Sequence, residues 1–205
     1  MIFQKIFLYY YFCFFYSYKE NITDTCMILM QFLSIDSGST IGCIAYDGYA
    51  IAAGVTSGGL NKKLMGSVGD SSVLGCSTYA NRNVGCSLTG HGESIMKHSL
   101  SRVIADDIEE GCSLRKALKK NLDYMSTRYN QTFGGVVFKK SGEWDIYFTS
   151  HKMPYTVIMN DCVTFGAALG EKNIEKYFEY RKRLPCNCSY PFVNNITLQC
   201  LDFLV

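Results

Sequence analysis

The chain has 205 residues, with 20 Lys and Arg against 18 Asp and Glu, giving a formal net charge of +2. This length suits a single domain, and 48% hydrophobic with 19% charged residues excludes a wholly disordered chain. No excess of basic charge points to nucleic acid as a partner. Only 3 prolines argue against a Pro-rich linker or a collagen-like chain.

The first 18 residues differ from the rest, because ten of them are Phe or Tyr. The uncharged run 6–16 is short for a transmembrane helix, which needs about 20 apolar residues. Its length and the preceding Lys5 suit a signal peptide, but a small-residue cleavage site is missing. We therefore expect this aromatic run to lie outside the folded domain and the protein to be cytoplasmic. A secreted or membrane-associated protein is the alternative, if residues 1–18 are a signal or anchor.

The chain has ten cysteines, and those in its middle lie in apolar or Gly-rich settings. Such residues behave as small buried hydrophobes when reduced, so we interpret them as core thiols. Cys186, Cys188 and Cys200 form the one cluster that resembles a metal site, without a second pair or a paired His. We expect no metal and no cofactor.

Short strands and a hairpin turn open the middle of the chain. Thr40–Ala45 is small and β-branched, the Asp47-Gly48 pair predicts a hairpin turn, and Ile51–Val55 returns as a second strand. A Gly-rich loop follows over residues 56–70, and Val84–Leu88 is predicted as another strand.

Two helices and a second hairpin come next. The first helix is predicted to start near Glu93 and to end at Gly111, and Ser113 is a candidate cap for the second. Their apolar stripes, at spacings of three and four, comprise Met96, Leu100, Val103 or Ile104, and Ile108, and then Leu114, Leu118, Leu122 and Met125. A hairpin of Gly134–Phe138 and Trp144–Phe148 completes the pattern. It predicts an α+β fold, an antiparallel sheet with the helix pair on one face and no obvious segment to cover the other.

Small polar residues gather at the strand ends and Gly-rich turns, where backbone N–H groups can form an oxyanion hole. They comprise Thr40, Thr56, Ser57, Ser67, Asp70, Thr89, Gly90, His91 and Gly92. The segment 38–42 could be taken for the nucleophile elbow of a serine hydrolase, but a strand is predicted after it rather than a helix.

These motifs, in this order, resemble the plant-type L-asparaginase/isoaspartyl peptidase family of N-terminal-nucleophile threonine hydrolases. The resemblance is carried by residues 40–45, 56–59, 66–70, 79–81 and 89–94, and it continues through 134–135, 141–144 and 149–154. The later stretches are most similar to the animal asparaginase-like branch. The resemblance covers the β-subunit portion and predicts three regions: an aromatic segment 1–39, a β-subunit domain 40–157 and a divergent tail 158–205.

The resemblance implies an amidohydrolase with a threonine nucleophile that acts on L-asparagine or a β-aspartyl dipeptide. Autocatalytic cleavage between Ser39 and Thr40 would free the α-amine of Thr40, whose hydroxyl then attacks the substrate. A free α-amine suits this role, since its pKa near 8 permits proton transfer at neutral pH. Ser57 matches the second hydroxyl of the family, which is normally a threonine.

The other matched positions concern the substrate. Thr89 and Gly90 match the oxyanion hole, while Asp70, helped by the Gly92 carbonyl, matches the group that holds the substrate α-amine. Ser67 stands where the family has an arginine that clamps the α-carboxylate, and a hydroxyl cannot supply that charge. Lys62 and Lys63 are close in sequence, without a predicted place in the pocket.

The family fold is a four-layer αββα sandwich, of which this chain is predicted to form about half. The resemblance implies as partners an α-subunit-like half, which we expect to be absent from this chain, and a homo-oligomer for the complete protein. Two functions remain open at this point. One is an incomplete or divergent threonine amidohydrolase, and the alternative is a catalytically inactive fragment or paralogue that lacks the α half and the clamping arginine.

Overall fold

Ten strands form two antiparallel sheets in the part of the chain that the computed structural model describes, residues 26–32, 40–59, 63–160 and 162–176. The strands are β1 Cys26–Phe32, β2 Thr40–Tyr46, β3 Ile51–Ser57, β4 Thr78–Ala80, β5 Val84–Thr89, β6 Gly134–Lys139, β7 Trp144–Phe148, β8 Tyr155–Met159, β9 Cys162–Gly166 and β10 Asn173–Lys176. The helices are a 3₁₀ turn at Asp70–Ser72, α1 Gly92–His98, α2 Leu100–Glu109 and α3 Leu114–Tyr129. The α+β class predicted from the sequence is confirmed.

The two sheets stack face to face. The first has six strands in the order β10-β9-β8-β1-β2-β3, and the second has four in the order β4-β5-β6-β7. Ile44, Ile51 and Val157 of the first sheet share a buried cluster with Val136 and Phe138 of the second. The six-stranded sheet therefore covers the face of the four-stranded sheet for which the sequence offered no obvious cover.

The helices cover the other face of the four-stranded sheet. Their predicted stripes point inward, since Leu118, Leu122 and Met125 are completely buried against Val84 and Leu88. The stacking order is thus helices, four-stranded sheet, six-stranded sheet. Burial of apolar side chains on both faces of the middle sheet supplies most of the core.

The domain extends beyond the expected 40–157 boundaries at both ends. β1 lies between β2 and β8 in the six-stranded sheet, although we expected the β-subunit domain to begin only at Thr40. β9 and β10 continue the same sheet past Val157. The three cysteines whose spacing resembles a metal site, Cys186, Cys188 and Cys200, fall outside the described residues. Within the described residues, no helix is both long enough and apolar enough to cross a membrane.

The first predicted helix is two helices, because the chain breaks at Ser99. Ser99 has φ +45° and separates α1 from α2. The first turn of α2 is tied to the preceding loop, since the N–H groups of Ser101 and Arg102 donate to the carbonyls of Cys76 and Gly75. These bonds satisfy donors that a continuous helix would have used internally.

The predicted helix ends are confirmed. Gly111 has φ +100° after α2, and its N–H donates to the Ile108 carbonyl. The Ser113 side chain accepts a hydrogen bond from the Lys116 N–H and caps α3. Of the two candidates for the stripe of α2, Ile104 is buried and Val103 is exposed.

Candidate active site

Thr40 and Ser57 occupy facing positions in adjacent strands. Thr40 begins β2, Ser57 ends β3, and the two residues are direct partners in the antiparallel register. The Thr40 hydroxyl donates to Ser57 Oγ at 3.3 Å, and the Gly59 N–H donates to the same oxygen at 3.0 Å. Thr40 is buried with 9% of its surface exposed, so its hydroxyl is held in one place beside a second hydroxyl.

Thr89 and Gly90 lie where β5 ends. The Thr89 hydroxyl is buried and has no hydrogen-bond partner among the described residues. Gly90 has φ +146°, and a Cβ there would lie 2.5 Å from the Phe133 ring and 2.8 Å from the Thr132 carbonyl oxygen. Only glycine fits this conformation and this space, so the chain can turn tightly next to the unpartnered hydroxyl.

Asp70 lies close to the start of α1. A Cβ on Gly92 would lie 2.7 Å from Asp70 Oδ1, so the missing side chain is what admits the carboxylate. Burial raises the pKa of Asp70 above its ordinary value, and the negative charge of Glu93 adds to the rise. A carboxylate that has lost part of its hydration binds a cationic ligand well, because the ligand restores the stabilisation of its charge that burial removes.

The residues predicted from the sequence converge on one cavity of about 220 Å³. Those that line it are Thr40, Ser57, Ser67, Asp70, Thr89, Gly90 and Gly92. Ser39, the predicted residue before the cleavage point, lies outside the described residues. The cavity thus brings together a hydroxyl pair, an unpartnered buried hydroxyl and a half-buried carboxylate, contributed by β2, β3, β5 and the 3₁₀ turn.

Sequence reasoning did not place several other residues that line this cavity, among them Lys63, Val68, Glu93 and Met96. Lys63 was noted only as lying close to Ser67 in the sequence, because no periodic pattern predicts where a loop side chain points.

Glu93 pairs with His91 at 3.3 Å, and the other ring nitrogen of His91 lies 2.7 Å from Ser94 Oγ. His91 therefore orients the first turn of α1 and does not line the cavity.

A second cavity, of about 480 Å³, lies between the β6–β7 hairpin and residues 168–172. Arg115 pairs there with Asp145 at 2.7 Å, and the Lys172 ammonium lies 5.4 Å from the centre of the Trp144 ring. These charged groups already have partners, so the smaller cavity is the better candidate for chemistry.

The stacked antiparallel sheets and the hydroxyl-lined cavity fit the class of threonine-nucleophile hydrolases. A family model described as asparaginase matches residues 18–165, and the chain belongs to this family. The match begins before and ends after the predicted 40–157 boundaries, in agreement with the extended six-stranded sheet.

Several relatives have names that agree with this family. The chain is 37% identical to an isoaspartyl peptidase/L-asparaginase of Xenopus laevis over 137 residues, which is 66% of this chain and 44% of that protein. It is 39% identical to the human isoaspartyl peptidase/L-asparaginase over 129 residues, 62% of this chain and 42% of that protein. A probable isoaspartyl peptidase/L-asparaginase of Drosophila melanogaster is 36% identical over 63% of this chain and 40% of that protein. The chain thus spans less than half the length of these relatives.

Proposed function

We propose that this chain carries the nucleophile of an amidohydrolase that cleaves L-asparagine or β-aspartyl dipeptides. The observation that carries the proposal is the Thr40 hydroxyl, 3.3 Å from Ser57 Oγ in a cavity that also holds Thr89, Gly90 and Asp70. Family membership and the names of the relatives support the same chemistry. The alternative of an inactive fragment or paralogue has less support, because Ser67, one of its two arguments beside the absent α half, is one substitution among seven converging positions.

Hydrolysis of the Ser39–Thr40 peptide bond comes first: it consumes one water molecule and leaves a carboxylate on Ser39 and a free α-amine on Thr40. The freed α-amine of Thr40 accepts the proton of its own hydroxyl, and Oγ1 attacks the side-chain carbonyl carbon of the substrate. The negative charge on the carbonyl oxygen is stabilised by the unpartnered Thr89 hydroxyl and the backbone N–H of Gly90. Asp70 holds the α-ammonium group, so the carbonyl is presented to Thr40 in one orientation.

The tetrahedral intermediate then collapses. The substrate nitrogen takes the proton from the Thr40 α-ammonium group and leaves as ammonia from asparagine, or as the second amino acid from a dipeptide. A β-aspartyl ester remains on Thr40. Water, deprotonated by the same α-amine, attacks the ester carbonyl and releases L-aspartate with the Thr40 hydroxyl restored. In the uncut chain the Thr40 hydroxyl donates to Ser57 Oγ at 3.3 Å. Once the α-amine has taken that proton, the Ser57 hydroxyl donates to Thr40 Oγ1 and keeps it oriented for attack.

The full chain, purified and incubated with L-asparagine or a β-aspartyl dipeptide, tests this function. We expect release of aspartate. Mass spectrometry under denaturing conditions should also show two fragments whose masses correspond to a cut between Ser39 and Thr40. Thr40→Ala is the control, and it should show neither cleavage nor release. An uncut wild-type chain that releases no aspartate would contradict the proposal.

Two partner predictions and the location belong to the same proposal. An α-like half completes the active species, as supported by relatives more than twice the length of the matched region. A homo-oligomer is the second partner that the family resemblance implies. Native mass spectrometry of the active material measures the number of copies and the presence of the additional half.

The buried free thiols Cys76 and Cys86 favour a reducing compartment, the cytoplasm. Microscopy of the full chain with a carboxyl-terminal tag tests that location.

A further inference from the structure

Lys63 brings a positive charge to the cavity. Among the residues described as lining it, Lys63 is the one Lys or Arg. Its Nζ lies 2.7 Å from the point that a Cβ on Gly59 would occupy, so the ammonium group rests against the Gly59 backbone. The Gly59 N–H donates to Ser57 Oγ, which also accepts the Thr40 hydroxyl. The cation is therefore connected to the hydroxyl pair through a single residue.

The charges around the cavity are distributed between two of its walls. The carboxylates of Asp70 and Glu93 lie toward the start of α1, whereas the Lys63 ammonium lies at the end of β3. Asparagine and β-aspartyl peptides carry an ammonium and a carboxylate on the same α-carbon. A cavity with negative groups on one wall and a positive group on another is complementary to such a zwitterion.

We propose that Lys63 binds the α-carboxylate of the substrate while Asp70 binds its α-ammonium group. This inference rests on the proposed function and names the residue that supplies the charge that Ser67 cannot. Lysine is a point charge on a flexible, exposed stem, so it forms one charge-assisted bond where an arginine fork forms two. The consequence is a weaker and more adaptable carboxylate site.

The binding of L-aspartate, the reaction product, tests the inference without depending on turnover. Titration calorimetry compares the full-length wild type with Lys63→Met, Lys63→Arg and the control Lys116→Met, an exposed lysine of α3 outside the cavity. The second ligand is L-aspartic acid α-amide, which keeps the ammonium group and the β-carboxylate but has no α-carboxylate. Thermal melting checks that each variant is folded.

We expect Lys63→Met to weaken L-aspartate binding about tenfold, which corresponds to one charge-assisted hydrogen bond. Lys116→Met should bind L-aspartate like the wild type and Lys63→Arg at least as tightly, and Lys63→Met should bind the α-amide as tightly as the wild type does. Adding Ser67→Arg to Lys63→Met should restore L-aspartate binding, because it returns a cation to the same cavity.

Equal affinity of the wild type and Lys63→Met for L-aspartate would overturn the inference, and so would equal weakening for both ligands or no L-aspartate binding by the wild type. The outcome is separable from that of the proposed function. Lys63-dependent binding in a chain that hydrolyses no substrate refutes the reaction and supports the site. Hydrolysis with Lys63-independent binding refutes the site and supports the reaction.

Discussion

The Thr40 hydroxyl and Ser57 Oγ lie 3.3 Å apart because their residues are direct partners in the β2–β3 register. The register places the two residues opposite each other, and the hydrogen bond between their side chains brings the two oxygens together. Residues 17 positions apart in sequence thereby form one functional pair. Rigid strands hold such groups more accurately than loops do, which suits a nucleophile and its neighbour.

Replacing Thr40 by alanine should abolish hydrolysis while the protein stays folded. The substitution removes the attacking oxygen, and we expect a loss of at least about 1000-fold in kcat. Aspartate release under saturating substrate measures it. Thr40→Ser keeps an oxygen at the same position and should retain part of the activity. Undiminished release by Thr40→Ala would show that another group attacks.

Ser57→Ala should lower kcat about 10- to 100-fold with a smaller effect on KM, because it removes the hydroxyl that orients the nucleophile. Ser57→Thr keeps a hydroxyl and is the matched control, with activity close to that of the wild type. Steady-state kinetics of the two variants provide the comparison. Equal activity in both would mean that the Ser57 hydroxyl has no role in the reaction.

Gly90→Ala should destabilise the protein by about 3 kcal/mol or more, since the methyl group would meet the Phe133 ring and the Thr132 carbonyl. Gly142→Ala is the matched control, because Gly142 also has positive φ but no atom within 4 Å of a Cβ. Its cost should be only the conformational one, about 1 kcal/mol. Urea unfolding of both variants separates crowding from backbone strain, and equal costs would show that crowding at Gly90 is unimportant.

Asp70→Asn should abolish substrate binding yet make the protein more stable at neutral pH. Burial raises the pKa of Asp70 in the folded state, so the folded protein binds this proton more tightly than the unfolded chain does. Ionisation therefore costs stability as the pH rises from the ordinary value of 3.8 through the raised pKa. The gain in melting temperature from Asp70→Asn should be largest near pH 7 and shrink as the pH falls toward about 4.

Asp123→Asn is the control of opposite sign for this pH experiment. Although burial opposes it, hydrogen bonds from Lys119 and Tyr147 lower the pKa of Asp123. Its ionisation therefore stabilises the fold above the ordinary pKa, and Asp123→Asn should lower the melting temperature at pH 7. If both variants shifted the melting temperature in the same direction, the burial argument for Asp70 would be wrong.

Ser99→Gly should stabilise the protein by about 1 kcal/mol, because glycine adopts positive φ without the steric cost that serine pays at φ +45°. Asn130, at φ +50° after α3, offers the comparison. Asparagine tolerates this region better, so Asn130→Gly should gain less. Thermal unfolding measures both, and a loss of stability in Ser99→Gly would mean that the serine side chain itself holds the break between α1 and α2.

The local signals in the sequence were sufficient for most of the helix-covered sheet. The Asp47-Gly48 turn, the Ser113 cap and the Gly111 helix end each depend on the backbone chemistry of a few adjacent residues, and all three are confirmed. The break at Ser99 escaped prediction because the apolar spacing from Met96 to Ile108 continues across it. A single left-handed residue leaves such a stripe almost unchanged.

The six-stranded sheet could not be predicted as readily, because its outer strands have weak patterns. β10 is almost wholly exposed and β9 is buried only in part, so neither alternates clearly between apolar and polar residues. The position of Lys63 shows the same limit for the cavity. Its contact with Gly59 depends on the path of a Gly-rich loop, which tertiary packing decides and periodicity does not.

The central position of β1 has a consequence for any maturation of this chain. Strands β2 and β8 both pair with β1 and not with each other, so a polypeptide that began at Thr40 would leave a gap one strand wide in the six-stranded sheet. Two rows of unpaired backbone groups would then face that gap. A cut before Thr40 frees an amine without freeing a fragment, because the upstream piece stays bound as the strand that joins the two halves of the sheet.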